Sequence, residues 1–192
     1  MSKGRLEAFS DGVIAILITI MVLELKVPHG TDWQALLPLY PVFTAYALSF
    51  VYLGIYWNNH HHMLQATERI NGKILWANLH LMFWLSLVPF VTAWMGESHM
   101  APWPTAVYGG VMLASGVAYT ILQTAIVSEH GLQSRLALAV GRDLKGKASA
   151  LGYALAIPLA FVRPALSGVI YVLVALLWLI PDPRIERRLR AD

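Results

Sequence analysis

Residues 5–27 read RLEAFSDGVIAILITIMVLELKV. A charged opening turn holding Arg5, Glu7 and Asp11 gives way to the uncharged run 12–23, and charge returns only at Glu24 and Lys26. A run of this kind predicts a membrane-spanning helix with a polar root, since a helix satisfies its own backbone groups inside hydrocarbon. With about 3.6 residues per turn, Arg5, Phe9, Gly12, Ile16, Thr19, Ile20 and Leu23 fall on one stripe. Asp11 points to nearly the opposite side. The helix therefore offers two separate features: an apolar stripe interrupted by one hydroxyl, and an acid anchored elsewhere.

Composition extends the same reading to the whole chain. Of 192 residues, 57% are hydrophobic and 13% charged, a balance that fits an all-α membrane protein and not a soluble domain. With no cysteine, neither a disulfide framework nor a thiolate metal site is possible. Six apolar segments follow one another at 9–27, 41–63, 74–95, 105–127, 148–162 and 165–180, giving one six-helix membrane domain over residues 1–192. Small residues in the fourth segment (Gly109, Gly110, Ser115, Gly116) would let helices approach closely. Pro89 and Pro158 are the positions where a span would kink. The last two segments are short against the roughly 20 residues of a full span. They form either two spans joined by the tight Arg163-Pro164 turn or a re-entrant hairpin, and Pro181-Asp182-Pro183 stops the second of them.

Charge position tests the count. Six spans place the two termini and loops two and four on one side, together with twelve of the fourteen Lys and Arg residues; Lys26 and Arg163 alone lie on the other. Basic residues sort to the cytoplasm, so both termini are expected there. A terminal hairpin would preserve that parity. The basic tail 184–190 (RIERRLR) suits contact with anionic headgroups, and 128–147 reads as a loop with about one helical turn. Acids at the head of the first apolar run, and no small-residue cleavage pattern after it, argue against a cleavable signal peptide.

Polar residues inside the spans are costly unless paired or wet, so chemistry is sought among them. Asp11, Asn58, His60, His61, His62, Asn78 and His80 all fall in the cytoplasmic third of the bilayer on this topology. A network of Arg5, Ser10, Asp11, Asn58, one of the three consecutive histidines, Asn78 and His80 would satisfy these groups mutually. It either pins three helices together or serves as a gate or proton sensor, since histidine titrates near neutrality. The consecutive histidines point about 100° apart on a helix and cannot converge on one ion, so no metal site is expected. HExxH, GxSxG and paired intramembrane aspartates are all missing, which argues against an enzyme. No cofactor and no nucleic-acid partner are expected.

The stripe Ile16, Thr19, Ile20, Leu23 reads from its residues alone as core, lipid-facing surface or pore lining. A resemblance bears on the choice. Arg5-x-x-x-Phe9-Ser10-Asp11 followed by Gly12-Val13-Ile14-Ala15-Ile16-x-x-Thr19 resembles the RxxxFSD signature that opens the first helix of the transmembrane protein 175 family, potassium-permeable channels of lysosomes and prokaryotes. Similarity is anchored on this helix and on residues 57–62, about a quarter of the chain.

The resemblance implies a single-repeat prokaryotic member in the plasma (inner) membrane, assembled as a homotetramer in the lipid bilayer with the first helices lining a central pore for potassium ions. It places the narrow apolar ring on Ile16, the hydroxyl layer on Thr19, and further apolar rings on Ile20 and Leu23. Arg5, Ser10 and Asp11 match the signature that packs against the second and third helices. Such a channel works without a carbonyl filter, and the chain has no TVGYG segment. A ring of Ile16 forces an ion to shed water and closes by dewetting, while Thr19 hydroxyls replace part of the lost hydration. Selectivity over sodium is expected to be modest, because hydroxyls offer few and flexible dipoles. No helix carries the basic repeat of a voltage sensor. Two other classes remain open at this point: a proton-coupled secondary transporter using Asp11 and His80, and a non-conducting membrane scaffold.

Overall fold

The computed structural model describes residues 2–131, 133–140 and 143–179, and within them all regular structure is helical. The stop at 181–183, the basic tail 184–190 and Arg142 of the charge count lie outside the described residues.

Helix α1 spans Lys3–Ile20 and tightens into a 3-10 turn at Met21–Glu24. It starts well before residue 9, because Ser2 is extended and Lys3 and Glu7, one turn apart, stabilise the first turns as an ion pair at 3.9 Å. Leu25 breaks to an extended conformation, so the helix ends short of residue 27. A 3-10 segment, Trp33–Leu39, leads into α2, Tyr40–Gln65, which carries Pro41 in its first turn where no amide hydrogen is needed. The third apolar segment is two helices, α3 (Gly72–Ser86) and α4 (Val88–Glu97). Pro89 is the cause: it has no N–H to return to the carbonyl of Leu85, and the chain answers with a 3-10 bond from Leu87 N–H to Trp84 O at 3.2 Å. The α3 start is fixed by Asn71, whose side-chain oxygen accepts from Ile74 N–H at 2.9 Å.

Helix α5 (Pro102–His130) follows and stops at Gly131, whose φ of 84° suits a glycine. A short α6 (Arg135–Val140), α7 (Leu144–Val162, continuous through Pro158) and α8 (Pro164–Leu179) complete the chain. Among the described residues, four stretches are long and apolar enough to cross a membrane: Lys3–Glu24, Trp33–Gln65, Gly72–Glu97 and Pro102–His130. Helices α7 and α8 form an antiparallel hairpin, because Ser149 meets Trp178 at one end (2.8 Å) and Ala156 meets Ser167 nearer the turn (2.7 Å).

Helix α5 packs against α3, α4, α7 and α8, and its Tyr108, Met112, Leu122 and Ile126 are fully buried. Several hydroxyls inside this core are satisfied by neighbours: Tyr171 donates to Thr105 O at 2.8 Å, and Thr92 donates to Ser49, whose hydroxyl meets Tyr108 at 3.0 Å, whereas the Thr105 hydroxyl is buried without a partner. Of the small residues expected to permit close packing, Gly109 lies directly under the Tyr171 hydroxyl of α8, whereas Gly110 has open space beside it. A close backbone approach lies elsewhere: a Cβ at Gly96 would sit 2.8 Å from Val42 Cα on α2.

Candidate functional site

Helix α1 has two unlike faces. Leu6, Ser10, Ile14 and Leu17, continued by Met21, are buried at spacings of three and four against α2, α3 and α4. Every member of the other stripe, Arg5, Phe9, Gly12, Ile16, Thr19, Ile20 and Leu23, is exposed in the protomer, with Ile16 at 59% and Leu23 at 77%. Thr19 sits among them with its hydroxyl hydrogen engaged by its own helix, at 3.0 Å from Ala15 O and 2.9 Å from Ile16 O. Its oxygen lone pairs therefore point away from the backbone and remain free to accept or to meet a cation.

The polar root is narrower than the sequence suggested. Ser10, His60 and Asn78 are all buried and form one chain: Asn78 Nδ2 donates to Ser10 Oγ at 3.0 Å, which leaves Asn78 Oδ1 to accept from His60 Nε2 at 2.7 Å. This choice of amide orientation and histidine tautomer satisfies all three groups at once. The chain joins α1, α2 and α3, and Lys3 adds a second tie between α1 and α2 by donating to Gln65 O at 3.0 Å. Such buried polar bonds fix the relative register of helices more than they add to stability.

The other expected members go elsewhere. Asp11 is half-buried and accepts from the indole of Trp57 at 3.0 Å, a partner not foreseen for it although Trp57 stood in the same segment as the histidines. Arg5 and Asn58 face outward. His61 stacks on Trp57 and accepts from Gln65 at 2.9 Å, one turn on. His62 Nδ1 is buried without a hydrogen-bond partner. His80 is exposed and accepts from Trp84 Nε1 at 2.9 Å on its own helix. Asp11 and His80 thus each turn to a tryptophan, and no hydrogen bond joins them in a relay. Among the described residues, no three His, Asp or Glu side chains gather as a metal site.

A second cluster went unnoticed in the sequence. Glu129 and His130, at the end of α5, hold the turn between α2 and α3: Asn71 Nδ2 donates to Glu129 Oε2 at 2.6 Å, and His130 accepts from the backbone of Glu68 and Arg69. The available signal was a polar pair ending a long apolar run; its partners are some sixty residues away in sequence.

Comparison with known proteins adds to this geometry. Residues 5–89, which contain α1 from Arg5 onward, the Ser10–Asn78–His60 chain and the α2–α3 turn, match the model of the family described as the endosomal/lysosomal potassium channel TMEM175. A potassium channel of Chryseobacterium sp. (strain P1-3) is 55% identical over all of both chains. Another, of Streptomyces collinus (strain DSM 40733 / Tue 365), is 35% identical over 91% of this chain and 90% of its own. The crystal structure of a lysosomal potassium-selective channel TMEM175 homolog from Chamaesiphon minutus superposes with a TM-score of 0.80 at 30% identity, covering 93% of this chain and 96% of that one. The chain belongs to the TMEM175 family, integral membrane proteins that are ion channels and not enzymes.

Proposed function

We propose that this protein is a potassium-permeable, modestly selective cation channel in which four copies surround a central axis and the exposed stripe of α1 lines the pore. One observation carries the reading: the stripe is uncovered along its whole length in the protomer, on a helix whose other face is fully packed. Ile16 is the constriction. Ile16 to Leu23 spans about 10 Å at about 1.5 Å per residue, room for stacked rings at Ile16, Thr19, Ile20 and Leu23. An apolar ring holds back a hydrated ion because its walls return none of the lost hydration energy, and closure by dewetting follows. Thr19 lies one turn outward with its oxygen lone pairs free. Sodium holds its water more tightly than potassium, so partial replacement by hydroxyls favours potassium.

The same reading takes the α7–α8 hairpin as two further spans, giving one six-helix domain with both termini in the cytoplasm of a prokaryotic cell. The Ser10–Asn78–His60 chain and the Asp11–Trp57 bond then hold the pore helix at its root, where a small change in tilt alters the ring at Ile16. The permeant ion is the only non-protein component required.

Liposomes holding the purified protein under a potassium gradient test this. Wild type should pass potassium faster than sodium, and Ile16→Asn should raise flux and change the preference. No flux from wild type, and none once the constriction is polar, defeats the channel reading; saturable flux that moves protons with each ion supports a transporter instead.

A further inference from the structure

We propose that His130 is a proton-sensitive clasp that holds the α2–α3 turn against the end of α5. Its Nδ1 lies 2.9 Å from Ile126 O, and a carbonyl can only accept, so Nδ1 carries the hydrogen. Nε2 receives two backbone N–H groups, from Glu68 at 3.1 Å and Arg69 at 3.0 Å, which requires its lone pair. Both bonds exist only for the neutral ring. A proton on Nε2 turns the acceptor into a donor facing two donors, and the turn must then move away or the ring must rotate out. Histidine is the side chain whose unperturbed titration lies nearest neutrality, so competition by a proton for Nε2 is the natural test of this contact.

The turn it holds is well placed to matter. On one side it ends α2, which carries His60 and Trp57; on the other, Asn71 caps α3, which carries Asn78. Asn78 contacts Ser10 and Trp57 contacts Asp11 at the root of α1, with His60 bonded to Asn78. Loosening the turn therefore reaches the pore helix through two short lengths of helix. The charged groups carried by the segments meeting at His130 are Glu68 and Arg69 on the turn, Lys73 in the first turn of α3, and Glu129 beside it on α5. Glu129 holds Asn71, a second point of attachment that does not depend on the imidazole.

Hydrogen exchange of the full chain in liposomes, corrected for the intrinsic pH dependence of exchange, reads the clasp at the Glu68 and Arg69 amides. Protection should fall about tenfold or more between about pH 8 and about pH 5 in wild type, the scale of two lost hydrogen bonds. In His130→Gln a carboxamide oxygen can take the place of Nε2 and cannot be protonated there, so protection should stay high at both ends of the range. His130→Ala should be unprotected throughout. Flat protection in wild type overturns the proposal without reference to any variant. An equal pH-dependent loss in His130→Gln overturns it as well and assigns the effect to Glu68 or Glu129. Because the readout is local exchange and not flux, these results stand whether or not the channel reading survives.

Discussion

Replacing Asn78 by leucine keeps side-chain size and removes both of its hydrogen bonds. His60 Nε2 and Ser10 Oγ, each buried, then lose their partner. A buried polar group left unsatisfied costs about 1–3 kcal/mol, so two such groups cost about 2–6 kcal/mol; the apolar side chain returns about 1–2 kcal/mol by burial, and the mid-range values leave a net loss of about 2–3 kcal/mol. Ser10→Ala alone leaves one amide N–H of Asn78 unpaired and should cost about 1–2 kcal/mol. The double variant removes both ends of one bond, so its cost should fall short of the sum by about 1 kcal/mol. Reversible unfolding in mixed micelles with increasing denaturing detergent measures all four corners of this cycle. Costs that add to within about 0.3 kcal/mol would refute the Ser10–Asn78 bond. A loss below about 0.5 kcal/mol for Asn78→Leu would refute the argument that this chain fixes α1, α2 and α3 together.

Three further outcomes are expected. Gly96→Ala should destabilise by about 1–3 kcal/mol, because the new methyl meets the α2 backbone at Val42, which cannot step aside as a side chain can. Gly110→Ala should be neutral or stabilising by up to about 1 kcal/mol, since nothing lies near its Cβ and alanine is the better helix former; unfolding of the pair in the same detergent series checks the contrast. At the far end of the bundle, Lys26 donates to Glu97 at 2.9 Å, and that hydrogen bond together with the glutamate charge raises the lysine pKa above its ordinary 10.5. A raised pKa means that the contribution of the lysine charge is fully present below 10.5 and is lost only as pH rises through the folded value. The pair is exposed, so Lys26→Met should bring a small loss of stability that vanishes in high salt, and a loss that persists in salt would contradict a simple ion pair.

Sequence by itself determined the class of the protein, the position of its apolar segments and the division of α1 into an apolar stripe and a polar root. These follow from local rules: hydrocarbon demands helices, and helical spacing assigns each residue to a face. Pro89 was visible as a place to kink, and Ser10, His60 and Asn78 were visible as polar groups that needed partners. Which partners they found was decided by tertiary structure. Asp11 and Trp57 are 46 residues apart, and nothing in either segment separates a bond to Trp57 from one to Arg5 or His80. The same holds for His80, which turned to Trp84 on its own helix, and for His130, whose role rests on backbone amides that carry no sequence signature. Exposure of the Ile16 stripe was also a tertiary outcome. An apolar stripe on a single helix is equally suited to core, lipid or pore, and only the packing of α2, α3 and α4 on its other face left this one uncovered.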